Sequence, residues 1–84
     1  MLKVEWSKQA AKELDKIDFK IAQRLVSKIS WLAQNFSYLT PEPLHGTFKG
    51  TYKLRVGDYR IVYILRNEIM VILSAGHRKE IYKG

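Results

Sequence analysis

The stretch YKLRVGDYRIVYIL, residues 52–65, decides the fold of this chain. The runs on either side of Gly57-Asp58 are rich in aromatic and β-branched residues, as in two strands joined by a tight turn. Glycine at the first position of a two-residue loop suits a type II′ turn, and a loop of this length fixes the strand register. The sequence therefore predicts a β-hairpin in which Arg55 lies directly opposite Arg60.

This register divides the hairpin into two faces, because directly opposite residues share a face. The face predicted to pack on the core carries Tyr52, Leu54, Val56, Tyr59, Ile61 and Tyr63. The other face carries Lys53, Arg55 and Arg60. Two opposed arginines repel each other by a few tenths of a kcal/mol, and an anion between them would replace the repulsion with charge-assisted hydrogen bonds. The pattern favours an anion site; the alternative is that both side chains extend into water.

The first half of the chain predicts a strand followed by two helices. LKVEW, residues 2–6, alternates apolar and polar residues. Ser7 and Asp18 suit helix N-caps. Apolar residues follow at helical spacing: Ala10, Ala11, Leu14 and Ile17, then Ile21, Leu25, Ile29 and Leu32, with Ala22, Val26 and Phe36 widening the second stripe. The short link between the stripes predicts an antiparallel helical hairpin.

The remaining segments complete a single α+β domain over residues 1–84. TPEPLHG, residues 40–46, predicts a loop. IMVILSA, residues 69–75, predicts another strand, and KEIY, residues 79–82, a last short one. The expected order is β-α-α-β-β-β-β, with the helical hairpin packed on one face of a twisted antiparallel sheet.

The last strand is expected to extend the basic face. Arg78 and Tyr82 alternate with Ile81 and so share a face, since neighbours in a strand point to opposite sides. If that face is the one that carries Arg55 and Arg60, the result is a basic cleft containing a phenol. A tyrosine in such a cleft is a candidate general base or stacking platform.

An apolar patch is expected on the same side of the sheet. Simple alternation places four residues there: Val62, Ile64, Val71 and Leu73. A central strand left bare on one side would expose a sticky surface. Two alternatives for covering this patch remain open. Either a partner protein covers it, or the chain itself does so through the second helix or the loop at residues 41–44.

Composition narrows the classes of function. The chain has 84 residues and a net charge of +7, and residues 45–84 hold eight basic residues against three acids. This balance favours an anionic partner. There is no cysteine, apolar leader or long apolar run, so a reducing cytoplasm is expected and a membrane is not. No P-loop, Cys/His metal pattern or nucleophile elbow appears, and neither a metal nor a cofactor is expected.

The motifs YKLRVGDYRIVY, residues 52–63, and GHRKEIY, residues 76–82, resemble the RelE/ParE superfamily of type II toxins, particularly its RelE-like branch. The resemblance covers nearly the whole chain and implies the fold just described. It implies a ribosome-dependent endonuclease that cuts messenger RNA in the A site, without a metal, by attack of a 2′-hydroxyl on the adjacent phosphate. It also implies a hetero-oligomer with a RelB-like antitoxin.

The resemblance assigns candidate catalytic residues by position. Arg60 matches a phosphate-binding arginine, and Arg78 matches a second arginine near the leaving group. Tyr82 matches a tyrosine that stacks on a base and assists proton transfer. Lys53 matches one of two strand lysines, whereas Thr51 replaces the other, which leaves the general base open. Arg55 would supply the missing charge.

Further residues are assigned to binding or packing. RNA or ribosome contacts are expected at Arg55, Lys49, His77, Lys79 and Lys83, and antitoxin contacts at Val62, Ile64, Val71 and Leu73. His45 is interpreted as structural or solvent-facing, and Tyr38 and Trp6 as packing residues. Trp31 is interpreted as a packing residue, with a partner contact as its alternative.

Two other functions stay open at this stage. One is a ParE-like poison of DNA gyrase with the same fold and no RNA chemistry. The other is a noncatalytic module that binds antitoxin or nucleic acid, which Thr51 keeps in consideration. The set of two arginines and a tyrosine favours the ribonuclease.

Overall fold

A computed structural model describes residues 2–35, 42–43 and 51–77 of the chain. The α+β class predicted from the sequence is confirmed. In chain order the elements are β1 (Lys3–Trp6), α1 (Lys8–Asp15), α2 (Phe19–Gln34), β2 (Glu42–Pro43), β3 (Tyr52–Val56), β4 (Tyr59–Arg66) and β5 (Ile69–His77). The short strand predicted at residues 79–82 lies outside the described residues.

Both predicted helix caps are present. The Ser7 hydroxyl accepts a hydrogen bond from the Ala10 amide at 3.0 Å, and the Asp18 carboxylate accepts one from the Lys20 amide at 3.2 Å. Each cap satisfies a backbone donor that has no partner inside the helix. The apolar stripe of α2 is narrower than expected, because Val26 remains 39% exposed.

The strands form one sheet in the order β1-β5-β4-β3-β2. The sheet is mixed rather than wholly antiparallel, because β1 runs parallel to β5 from Lys3 opposite Ile69 to Trp6 opposite Ile72. Both helices and strands β2 to β4 lie between β1 and β5 in the chain, so the connection is long enough for a parallel pair. β2 lies within the predicted loop and pairs with Tyr52 and Lys53, and its Pro43 suits an edge position.

The predicted hairpin register is confirmed for every pair from Tyr52–Tyr63 to Val56–Tyr59, including Arg55 opposite Arg60. Gly57 has a φ of 61°, as the first position of a type II′ turn requires. The next turn, at Asn67 and Glu68, has positive φ at both positions, 45° and 65°. This is the type I′ pattern, which also matches the twist of a hairpin.

A β-bulge interrupts the pairing of β4 with β5. Val62 lies opposite Ser74 and Tyr63 opposite Ile72, so Leu73 is the additional residue. Beyond the bulge, Ala75 lies opposite Ile61. The bulge therefore exchanges the faces taken by odd-numbered and even-numbered residues in the second half of β5.

The core lies between the helices and one face of the sheet. Its buried members are Ala10, Leu25, Ile29, Leu32, Ala33, Ile61, Tyr63, Met70, Ile72 and Ala75. Tyr52, Leu54, Val56 and Tyr59 pack against this cluster, so the predicted core face of the hairpin is confirmed. Among the described residues, no helix is long and apolar enough to cross a bilayer.

Candidate functional site

Arg55 and Arg60 form the centre of the candidate site. They are direct partners across β3 and β4, and their Cα atoms are therefore about 4.5–5.5 Å apart. Arg55 is exposed, whereas Arg60 is half-buried and its Nε atom is buried. A partly buried guanidinium is less screened by water than an exposed one, so it binds an anion more strongly.

Lys53 joins the two arginines on the same face. It lies opposite Val62 on β4 and is half-buried. Alternation along β3 places Lys53 and Arg55 on the side opposite the core. The structure thus brings together three of the predicted site residues. Apart from His77, the other predicted catalytic and RNA-binding residues lie outside the described residues: Arg78, Tyr82, Lys49, Lys79 and Lys83.

His77 lies on the other side of the sheet. It is the partner of Tyr59 on the core face, and the two rings meet edge to face with centroids 5.5 Å apart. It lines a pocket of about 330 Å³ together with Glu13 and Lys16. The bulge at Leu73 produces this placement, because uninterrupted pairing would put His77 on the arginine face. The structure therefore does not bring His77 together with Arg60.

The predicted apolar patch is more sheltered than the sequence suggested. Val62 is 5% exposed, and Ile64, Val71 and Leu73 are half-buried. None of these four belongs to the core cluster. Helix α2 packs on the core side, so it does not cover them. Of the loop at residues 41–44, the described part, Glu42–Pro43, pairs with the edge of β3, and the remainder lies outside the described residues.

Exposed apolar side chains occur instead on α2. Phe19 is 72% exposed and Trp31 is 47% exposed. The interpretation of Trp31 as a packing residue is therefore wrong, whereas Trp6 does pack against the core.

A basic groove between α2 and β3 was not predicted. It has a volume of about 800 Å³ and is lined by Gln23, Arg24, Ser27, Lys28, Trp31, Arg55, Val56 and Gly57. The Lys28 ammonium lies 4.8 Å from the centre of the Trp31 ring, within the range of a cation–π contact. Helical spacing in the sequence indicates that Arg24, Lys28 and Trp31 are neighbours. Only the tertiary structure shows that Arg55 joins them.

These residues equip the surface to bind a phosphodiester and to stabilise extra negative charge on it. Guanidinium groups suit phosphate because they donate in a planar fork. Within residues 2–35 and 51–77, no cluster of His, Asp and Glu side chains is arranged to hold a metal ion.

The fold is shared with known toxins. The toxin–antitoxin complex RelBE2 from Mycobacterium tuberculosis matches with a TM-score of 0.79 and 26% identity, over 92% of this chain and 98% of that chain. The isolated E. coli RelE toxin matches with a TM-score of 0.76 and 23% identity, over 98% and 92%. The chromosomal ParDE system from P. aeruginosa matches with a TM-score of 0.75 and 19% identity, over 92% and 96%.

Sequence comparison gives a family match over almost the whole chain. Residues 4–82 match the model described as the ParE toxin of the type II toxin-antitoxin system parDE. Among curated proteins, no relative matches the chain significantly. The superfamily expected from the two motifs is therefore confirmed.

Proposed function

The chain belongs to the ParE toxin family of type II toxin–antitoxin systems. We propose that, within this family, it acts as a ribosome-dependent messenger RNA endonuclease. The observation that carries the proposal is the pairing of Arg55 with Arg60 across the hairpin. The pairing adds repulsion to the folded state, and a bound phosphodiester would remove it. Lys53 adds a third cation to the same face.

The proposed reaction is an internal transesterification that needs no metal. The 2′-oxygen of the RNA attacks the adjacent phosphorus, and its proton passes to a base. The bond from phosphorus to the 5′-oxygen breaks, and that oxygen takes a proton from an acid. The products are a 2′,3′-cyclic phosphate and a 5′-hydroxyl, so atoms and charges balance.

Each residue has a proposed role in this reaction. Arg60 holds the phosphate and stabilises the negative charge that grows on its oxygens, as preorganised cations do in phosphoryl transfer. Lys53 and Arg55 add positive charge beside Arg60 and so increase the electrostatic stabilisation of the phosphate. By resemblance, Arg78 acts at the leaving oxygen, and Tyr82 stacks on a base and assists proton transfer.

The first prediction concerns Arg60. Arg60→Ala should lower cleavage of ribosome-bound message about 10²–10³-fold, the typical effect of removing one group that stabilises transition-state charge. The measurement is cleavage mapped by primer extension during in vitro translation with purified protein.

Arg66→Ala is the matched control for this experiment. Arg66 lies on the same strand and face, six residues away and exposed, so it is about 20 Å from Arg60. The Arg66→Ala variant should cleave the message as efficiently as the wild type. Wild-type activity in Arg60→Ala would refute the proposed site.

A second candidate function is poisoning of DNA gyrase. The observation that favours it is the family match, which is to the ParE toxins. The same protein preparation tests it in a supercoiling assay. Inhibited supercoiling together with intact message would support this candidate and refute the ribonuclease.

We propose that the partner is a cognate antitoxin that binds the apolar side chains on the arginine face of the sheet. The M. tuberculosis structure is itself a toxin–antitoxin complex. Ile64 lies opposite Val71 outside the core cluster, so the pair is available to a partner at low folding cost. Contact there would also block the approach of RNA to Arg60.

The second prediction tests this antitoxin surface. Ile64→Gln should weaken antitoxin binding at least about tenfold, equal to a loss of about 1.4 kcal/mol, because a contact side chain loses apolar burial. Calorimetric titration of toxin with antitoxin measures the change. Val26→Gln, which alters an exposed apolar residue on α2, should bind normally. Unchanged affinity in the folded Ile64→Gln variant would contradict this surface.

A further inference from the structure

The groove between α2 and β3 concentrates positive charge. Arg24 and Lys28 come from α2 and Arg55 from β3, and no carboxylate is among the described residues that line it. All three cations belong to exposed residues. They are therefore accessible to a ligand from solvent.

The arrangement of these cations costs folding energy. Arg24 and Lys28 are four residues apart on one helix, a spacing at which like charges destabilise the helix. Arg55 brings a third like charge to the same groove. None of the three contributes to the core cluster. A bound polyanion would offset this repulsion.

Trp31 narrows the class of polyanion. Its ring is 47% exposed, and Lys28 is held against the ring. Exposed aromatic rings beside cations bind single-stranded nucleic acid, because bases stack on the ring while phosphates contact the charges. An acidic protein segment would use the cations but would gain less from an exposed indole set among polar residues.

The groove is continuous with the arginine face. Arg55 lines the groove and is also the direct partner of Arg60. Among the described residues, the pairing of β2 with β3 includes Lys53 but not Arg55. An RNA strand that contacts Arg55 in the groove therefore lies next to Arg60 on the neighbouring β-strand.

We propose that this basic groove is a second RNA-binding surface that holds single-stranded RNA adjacent to the phosphate bound at Arg60. The inference rests on the proposed ribonuclease function and extends it to a surface on the helical side of the molecule. The RNA is either the message itself or an unpaired segment of ribosomal RNA. Both present the same phosphates and bases.

The experiment measures binding separately from cleavage. The probe is a fluorescein-labelled 2′-O-methyl oligouridine of about 12 nucleotides, which is long enough to cover such a site and has no 2′-hydroxyl to react. The double variant Arg24→Gln/Lys28→Gln should bind it about tenfold more weakly. The slope of log K against log salt should fall by about 1.4, since each lost phosphate contact on a single strand removes about 0.7.

Lys8→Gln/Lys12→Gln is the matched control. These two lysines are also four residues apart and exposed, but on α1. The control removes the same charge, so a smaller loss of affinity than in the groove variant separates local contact from net charge. Equal losses in the two double variants would overturn the proposal.

Trp31 provides an independent readout of stacking. Its fluorescence should be quenched when the oligonucleotide binds, and Trp31→Phe should lose most of that quenching. A wild-type protein that binds the oligonucleotide with no quenching would overturn the stacking arrangement.

A parallel arm identifies the source of the RNA. For the groove variant, weaker oligonucleotide binding with normal co-sedimentation on message-free ribosomes indicates a message strand, whereas weaker co-sedimentation with message-free ribosomes indicates ribosomal RNA. Both results support the groove. The proposal is overturned if the groove variant binds both the oligonucleotide and ribosomes normally, including the case in which it loses only antitoxin binding.

The outcomes also separate this inference from the proposed function. If Arg60→Ala loses cleavage while the groove variant binds RNA and ribosomes normally, the groove fails and the ribonuclease stands. If the wild type cleaves no message but the groove variant loses RNA binding, the ribonuclease fails and the groove stands.

Discussion

At Tyr63, burial changes the chemistry of a single phenol. The side chain is 1% exposed and stacks on Tyr52 with ring centroids 5.6 Å apart. Removal from water, with a smaller contribution from Tyr52, raises the pKa of Tyr63 from 10.0 to about 12. Burial disfavours the charged phenolate, so Tyr63 is a core residue and a poor general base near neutral pH.

The third prediction follows from this raised pKa. In the unfolded chain Tyr63 loses its proton near pH 10, whereas in the folded protein it keeps it to about pH 12. Its contribution to stability is therefore complete below pH 10 and is lost as the pH rises towards 12. Urea unfolding at several alkaline pH values should show this decline, and Tyr63→Phe should reduce it.

Tyrosinate absorbance gives a direct check on the same group. The wild type should show a late titration phase near pH 12 that Tyr63→Phe lacks. Identical titration curves for the two proteins would mean that Tyr63 does not hold its proton in this way.

Single residues also show how far local pattern could predict the site. The opposition of Arg55 and Arg60 was predictable because Gly57 and Asp58 fix the register through a short turn. The face of His77 was not, because the bulge at Leu73 depends on pairing with β4. The apolar and polar periodicity of one strand does not indicate where a bulge will interrupt its pairing.

At the scale of elements, α1 seals the side of β5 that β1 leaves open. β1 pairs with β5 only as far as Ile72. Beyond that point the Ser7 hydroxyl donates to the Leu73 carbonyl at 3.2 Å, and a Glu13 carboxylate oxygen accepts from the Ser74 hydroxyl at 2.9 Å and the Ala75 amide at 3.1 Å. The helix thus satisfies polar groups of the strand edge that another chain would otherwise pair with.

The fourth prediction tests this contact. Glu13→Ala should lower the free energy of unfolding by about 2 kcal/mol, because hydrogen bonds to a charged acceptor are lost and the amide of the buried Ala75 loses its partner. Urea denaturation monitored by circular dichroism measures the change.

Two further variants make the test specific. Asp15→Ala alters an exposed acid in the same helix and should change stability by less than about 0.5 kcal/mol. Glu13→Gln keeps an acceptor oxygen, so its stability should lie between those of the wild type and Glu13→Ala. Equal stability of Glu13→Ala and the wild type would show that α1 is held by its apolar contacts alone.

The helices were predictable because caps and apolar spacing are local signals. Ser7 and Asp18 stand directly before the periodic stripes, and both cap as expected. The direction of β1 was not predictable, since its partner β5 is more than sixty residues away. β2 was missed because a two-residue strand that contains Pro43 has the composition of a loop.

At the scale of the whole molecule, the first and last elements of the described chain are in direct contact. β1 lies beside β5 and α1 covers the continuation of that strand. These contacts join positions more than sixty residues apart, so loop-closure entropy must be overcome before they form. Loss of either end should therefore weaken the entire sheet.

The basic surface likewise combines distant parts of the chain. The charge count drew attention to residues 45–84, yet two of the three cations in the groove, Arg24 and Lys28, come from α2. Linear charge density could predict an anionic partner, but only folding shows that helix and hairpin form one basic surface.

The bulge at Leu73 acts on the pleat as a one-nucleotide insertion acts on a reading frame. The side chains from Ser74 to His77 change sides, while those upstream of Leu73 keep theirs. Toxins of this fold that differ by one residue at this point would present opposite sets of side chains to the same ligand, even with identical terminal motifs. Alignment of such motifs therefore identifies equivalent residues only when the bulge is present in both proteins or absent from both.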